Sequence, residues 1–303
     1  MTDTRYPSYL NLAASGELSQ RAAETVRILD RCTLCPWECG VDRLSGETGQ
    51  CQIGGQARVY SYIAHSGEER PLSGRHGSGA VFFSGCNLHC QYCQNSDISQ
   101  DNYGMGVSDE VLAGMMLDLQ SQGCHNINLV SPTHIVPQFL AALAIAVDEG
   151  LRLPIVYNTG GYDKVSTLRL LDGIVDIYLP DMKYADEHIA ERFSGVKDYP
   201  SVNRAAVKEM HTQVGDLAVA ENGIASRGLI VRHLLLPCEL AGTRMILDFI
   251  AEEISKDTYL NLMDQYQPEY NARDFPQLNR RVTRGEYADA VDLARQRGFT
   301  RLN

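Results

Sequence analysis

Positive charge is scarce in this chain. Its 303 residues carry 27 lysines and arginines against 38 aspartates and glutamates, and no basic stripe interrupts the net charge of −11. That balance excludes a nucleic-acid backbone as the main partner. No apolar run approaches the roughly 18 residues of a membrane span, and no cationic leader precedes an apolar core. The sequence therefore predicts a cytoplasmic protein with no membrane partner. A nucleotide P-loop is excluded as well, because the glycine-rich stretch Gly74-Arg75-His76-Gly77-Ser78-Gly79 lacks a Gly-Lys-Ser/Thr ending. Tryptophan occurs once, at Trp37.

Cysteine, by contrast, is plentiful. Seven of the nine cysteines fall in two tight clusters. A cytosolic chain of this length needs no disulfide staples, so metal ligation is the better account. The first cluster is Cys32-Thr33-Leu34-Cys35-Pro36-Trp37-Glu38-Cys39, followed by Cys51, with glycines bending the chain between them. Such a lobe is too small to fold on a hydrophobic core and reads as closed by metal, with zinc and an iron–sulfur cube both compatible. Trp37 is expected to shield it. Residues 1–30 before it read as one amphipathic helix, and residues 58–79 after it as a glycine-rich connection able to approach a ligand closely.

The second cluster, Cys86-Asn87-Leu88-His89-Cys90-Gln91-Tyr92-Cys93, organises the rest of the chain. Three thiolates on one loop can hold a [4Fe-4S] cube by three corners, and the fourth iron is then open to a small molecule. The competing reading is a structural zinc site completed by Cys124 or Cys238. Residues 80–84 before the loop are apolar and β-prone, so the loop should emerge at the carboxyl edge of a sheet, where α/β sites lie.

Strands are expected at 80–84, 126–130, 154–158, 174–182, 229–237 and 259–265, with helices at 136–149, 164–171, 242–254 and 284–297. A further helix is capped by Ser108 and ends before Gly123. Six strands with intervening helices imply a parallel α/β sheet with right-handed crossovers, and about 220 residues suit a partial (β/α)6 barrel better than a closed eightfold one. The chain thus divides into a cysteine-rich metal lobe with its connection, 1–79, and the barrel, 80–303. Arg232, inside an apolar strand, is expected to meet a carboxylate, either that of Asp181 or that of a bound ligand, because an unpaired buried guanidinium costs several kcal/mol. Asp181 and Lys183 are two apart on one strand face, which suits either a zwitterionic ligand or a local ion pair.

The CxxxCxxC loop with Tyr92 before its last cysteine resembles the radical S-adenosylmethionine (SAM) superfamily, and within it the activating enzymes of pyruvate formate-lyase and related glycyl-radical enzymes. The resemblance implies that Cys86, Cys90 and Cys93 hold a [4Fe-4S] cluster whose open iron chelates SAM. It implies reductive cleavage of SAM to a 5′-deoxyadenosyl radical that abstracts hydrogen from a substrate. Where many members carry Gly-Gly-Glu for the SAM amino group, this chain has Ser131-Pro132-Thr133-His134, so backbone carbonyls or the hydroxyls of Ser131 and Thr133 are the expected substitutes. Asn158 stands at a position that is acidic in the activases, and Asp181-Met182-Lys183 resembles their Asp-Leu-Lys, which supports SAM. A reductant such as flavodoxin or ferredoxin is implied, with a glycyl-radical enzyme, another protein or a small molecule as substrate. The rival of a different class is a non-catalytic iron–sulfur or zinc scaffold, which would need neither an open iron nor SAM.

Overall fold

The structure, a computed structural model, describes residues 6–303. Its nine strands are β1 Ala57–His65, β2 Ser78–Phe83, β3 Met105–Val107, β4 Ile127–Val130, β5 Ile155–Thr159, β6 Ile177–Pro180, β7 Ala218–Val219, β8 Ala225–Leu234 and β9 Tyr259–Met263. Six of them run parallel in the order β2-β4-β5-β6-β8-β9. Helices fill the crossovers, among them Asp109–Ser121, Val136–Asp148, Tyr199–Val214 and Thr243–Glu253. The chain is thus a mixed α/β protein built on a central sheet, and among the described residues no helix is long and apolar enough to cross a membrane.

Both faces of the parallel strands are covered, which is why they read as near-continuous apolar runs. Val81, Phe83, Ile127, Leu129, Ile155, Tyr157 and Tyr178 point outward into a core shared with the helices. Val156, Ile177, Leu179 and Ile230 point inward and close on one another with Leu72. Further along the same inner faces the apolar side chains give way to Asn158, Asp181 and Arg232 at the carboxyl ends, where they line a cavity of about 360 Å³. The period-two alternation therefore delivers the polar residues to one end of the sheet.

Three expectations need correction. The first 30 residues form two helices, Tyr9–Ser15 and Glu17–Arg27, broken at Gly16, whose left-handed φ of 80° ends the first; residues 1–5 of that stretch lie outside the described residues. The stretch 58–79 is no mere connection. It contributes β1, which pairs antiparallel with β2, and a helical turn at Arg70–Ser73, so the sheet runs across position 79. Finally, the segment 174–182 is a strand only over β6, and 229–237 begins earlier and ends at Leu234 as β8. The cap at Ser108 is as expected, its side chain accepting from the Val111 amide.

Candidate functional site

The cysteine loop leaves β2 at Phe83 and turns immediately at Gly85, whose φ is 78°. A β-carbon there would lie 2.4 Å from the Cys51 carbonyl oxygen and 2.8 Å from Ile53, so the turn and the close approach both demand glycine. The loop is fastened at several points. The Trp37 indole N–H donates to the Asn87 carbonyl at 2.8 Å, Asn87 Nδ2 donates to the Tyr162 carbonyl at 2.7 Å, and His134 Nε2 lies 2.8 Å from the Ser84 carbonyl. His134 is wholly buried with its pKa pushed down to about 4, first by burial and then by Arg43, so it is neutral and donates from Nε2.

Cys86, Cys90 and Cys93 all face the cavity. Each sulfur has a donor or hydroxyl beside it: the Leu88 amide at 3.4 Å from Cys86, Ser194 Oγ at 2.9 Å from Cys90 and Ser99 Oγ at 3.1 Å from Cys93. Burial raises the thiols of Cys86 and Cys90 to about 12 and 11. In such surroundings a thiol gives up its proton only to a metal. Neither Cys124, buried in the outer core, nor the exposed Cys238 lines the cavity, so the loop has no fourth thiol. Tyr92 is buried and packs edge-to-face on Tyr184 and Tyr266.

Across the cavity the strand ends form one charged chain. Lys183 Nζ donates to Asp181 Oδ2 at 2.6 Å, Arg232 Nε donates to Asp181 Oδ1 at 2.8 Å, and Arg232 Nη2 donates to Asn158 Oδ1 at 2.6 Å. Burial opposes the charge on Asp181, but Arg232 and then Lys183 outweigh it and hold the carboxyl below its ordinary value. Burial likewise works against the Lys183 ammonium, and Asp181 reverses the balance and raises it. All three groups are therefore charged at neutral pH. The carboxylate expected for Arg232 is Asp181, and His233 is a satisfied core residue, with its ring nitrogens 2.6 Å from the Met182 carbonyl and 2.9 Å from Thr243 Oγ1.

Ser131 lines the cavity with a left-handed φ of 59°. Thr133 is turned elsewhere: its hydroxyl donates to Asp163 Oδ1 at 2.7 Å, in a buried knot where Asp163 also accepts from Tyr157 and Thr159. Sequence reasoning passed over Asp163, although it follows Thr159 by four residues at the end of β5. It also passed over Glu68, whose carboxyl lines the cavity 4.0 Å from Arg232 Nη1. Burial raises the pKa of Glu68, Arg232 opposes this, and Glu69 adds to it. The third residue missed is Ser194, the hydroxyl partner of Cys90, which came into view only with the helix Glu187–Ser194 that carries it.

A strand-delivered loop with three thiols, no fourth, and a charged wall opposite defines the class. Residues 80–215 match the radical SAM superfamily. The chain is also 33% identical over 277 residues to an uncharacterized protein of Methanocaldococcus jannaschii, covering 88% of this chain and 75% of that one. Residues 80–215 are a radical SAM superfamily domain, and membership implies reductive cleavage of SAM at a [4Fe-4S] cluster. Among solved structures it is similar to native anSMEcpe with bound AdoMet, at 13% identity and a TM-score of 0.49 over 70% of this chain and 57% of that one. It is similar also to a radical SAM methyltransferase from Sphaerobacter thermophilus, at 12% identity and a TM-score of 0.45 over 97% and 90% of the two chains. The donor set fits the cluster: three thiols facing one cavity, Cys90 buried and Cys86 and Cys93 partly buried, each with a polar neighbour.

Proposed function

We propose that the chain is a cytoplasmic enzyme in which Cys86, Cys90 and Cys93 hold the cluster and SAM occupies the cavity between that loop and the ends of β5, β6 and β8. The observation that carries this reading is the missing fourth thiol, because a cube used only to carry electrons normally has four cysteine ligands. A bound, reduced cluster supplies the electron that splits the SAM sulfonium and yields the 5′-deoxyadenosyl radical. The six parallel strands then act as an open (β/α)6 barrel around that radical.

This chain's own side chains do the rest. The Lys183 ammonium takes the methionyl carboxylate, while Asp181, fixed by Arg232, keeps the lysine charged and aimed. Asn158 and Ser131 present oxygens to the SAM amino group in place of the acidic residue this chain lacks. Tyr92, held between Tyr184 and Tyr266, walls off water from the cluster side. Electrons come from a small donor such as flavodoxin or ferredoxin.

The Asp181-Met182-Lys183 pattern supports an activating-enzyme-like role, with hydrogen taken from a glycyl-radical enzyme; a small molecule or another protein is the alternative substrate. Anaerobically reconstituted protein with dithionite should convert SAM to methionine and 5′-deoxyadenosine. A cluster-loaded protein that binds no SAM would overturn the reading.

Lys183→Ala and Asp181→Asn should each weaken SAM binding by roughly ten-fold to a hundred-fold, since a charge-assisted hydrogen bond contributes about 1.5 to 3 kcal/mol. Equilibrium dialysis with labelled SAM reads the loss, and iron content should stay at the wild-type level because neither side chain bonds to the cysteine loop. Loss of iron with unaltered SAM affinity in the remaining holoprotein would make both residues structural.

A further inference from the structure

We propose, on the reading of the cavity as the SAM site, that Glu68 is a substrate contact whose carboxylate takes an ammonium or guanidinium group of the substrate. β1 runs antiparallel to β2 and ends at His65 opposite Ser78, where β2 begins, whereas the cysteine loop leaves β2 at its other end. The segment after β1 therefore enters from beneath the sheet. It is fastened there: the Leu72 side chain packs among Val156, Ile177, Leu179 and Ile230, the Leu72 carbonyl accepts from Asn126 Nδ2 at 2.9 Å, and Glu69 Oε1 accepts from Asn261 Nδ2 at 2.8 Å. So held, it presents Glu68 to the cavity that the three cysteines and Lys183 also line. The segment precedes residues 80–215, so the superfamily match gives it no role.

Charge decides what this carboxylate can take. Arg232 commits Nε to Asp181 and Nη2 to Asn158, and Nη1 stands 4.0 Å from Glu68, an ion pair too long for a hydrogen bond. The Glu69 carboxyl, 5% exposed, lies within hydrogen-bonding reach of Glu68, and among the described residues its Oε2 meets no donor. Burial raises the Glu68 carboxyl above its ordinary value; Arg232 and, less strongly, His65 pull it down, and Glu69 pushes it up. Glu68, Glu69 and Asp181 thus stand against Arg232 and Lys183, with one negative charge in excess when all are ionised. SAM brings one net positive charge and an oxidised [4Fe-4S] core on three thiolates one net negative charge, so together they leave that excess in place. Two adjacent buried carboxyls do not both ionise readily, and one keeps a proton until a cation replaces it. A cationic substrate group balances the wall, and an anionic one adds to the excess.

The inner face calls for a polar occupant as well. Asn128 stands level with Val156 in the sheet register, so it points inward, and it is wholly buried. Among the described residues neither its Oδ1 nor its Nδ2 has a hydrogen-bond partner. Buried amides are paired in folded proteins, by water or ligand where the chain offers nothing.

The test titrates the reconstituted holoprotein, saturated with SAM, with n-butylamine under saturation-transfer NMR, with butyrate and n-butanol as anionic and neutral counterparts. The amine alone should bind, and Glu68→Gln should weaken it roughly ten-fold or more, because the charge-assisted bond is lost and the packing kept. Equal binding of all three compounds overturns the inference. So does equal binding of the amine to both proteins, since the amine then sits on the acidic surface. Should Glu68→Gln not fold, Glu68→Asp takes its place: drawing the carboxylate back should weaken the amine, and unchanged affinity overturns the contact. A blocked Gly-Lys-Gly peptide that binds tighter than n-butylamine assigns the cation to a peptide side chain, and the reverse order assigns it to a free amine; either supports the contact. Equilibrium dialysis with labelled SAM completes the test. A fall in SAM affinity as large as the fall for the amine makes Glu68 a SAM contact and overturns the inference, whereas a wild-type holoprotein that takes up no SAM sinks the reading of the cavity itself.

Discussion

Cys86→Ala, Cys90→Ala and Cys93→Ala should each reduce formation of 5′-deoxyadenosine to the background of protein-free dithionite. The expectation follows from the ligand count. A cube held by three thiolates has no spare protein corner, and among the described residues no other thiol lines the cavity to replace a lost one. Two-thiolate cubes are labile, so iron content falls together with turnover. Ser194→Ala provides the graded comparison, since it leaves all three thiols in place and removes the hydroxyl that donates to Cys90 Sγ and pairs with the Tyr184 hydroxyl at 2.7 Å. Outer-shell losses of this kind typically cost 10- to 100-fold in metal affinity or activity. Turnover at the wild-type rate in any one cysteine variant would remove that residue from the ligand set.

The second large effect belongs to a residue that touches no cofactor. Asp163 is 2% exposed and accepts from Thr133 and Tyr157 at Oδ1 and from Thr159 at Oδ2. Asp163→Ala would remove the shared acceptor of three buried hydroxyls; Thr133 and Thr159 still face each other at 3.2 Å, but Tyr157 is left without its acceptor. With about 1–3 kcal/mol for each unsatisfied group the fold should lose about 2–4 kcal/mol, read as a lowered urea midpoint. The pH dependence has a definite sign. Burial raises the Asp163 carboxyl despite its three hydrogen bonds. Its contribution is therefore fully present below the unfolded value near 3.8 and is lost as pH rises through the folded value. Relative to Asp163→Asn, the wild-type protein should be most advantaged in acid and lose that advantage toward neutrality. A difference that instead grows with pH would mean that the native site favours the carboxylate.

What could be read from residues alone was whatever announces itself by period or spacing. The parallel strands are buried on both faces, so their apolar runs stood out, and the polar residues Asn158, Asp181 and Arg232 marked where those runs meet the cavity. β1 did not stand out. Only its first residues are buried, while Tyr60 and Ile63 are about half exposed, and with one face toward solvent the strand lacks a sustained alternation. The helix Tyr199–Val214 was missed for a related reason: its buried face is built partly from Asn203 and Ala206, which carry little hydrophobic signal. Thr133 was read as a ligand for SAM because it follows β4, yet which way a hydroxyl turns depends on Asp163, thirty residues later, and no local pattern encodes that.

The segment that matches the superfamily, residues 80–215, holds only part of the central sheet. On one side β2 is covered by β1, and on the other β6 is covered by β8, which in turn carries β9; all three covering strands lie outside the matching segment. Cut to that segment, the chain would leave two short apolar strands, β2 and β6, unpaired at the sheet edges and open to edge-to-edge aggregation. It would also lose Arg232, and with it the partner that fixes Asp181. The portion that the superfamily pattern covers is thus narrower than the sheet that supports it.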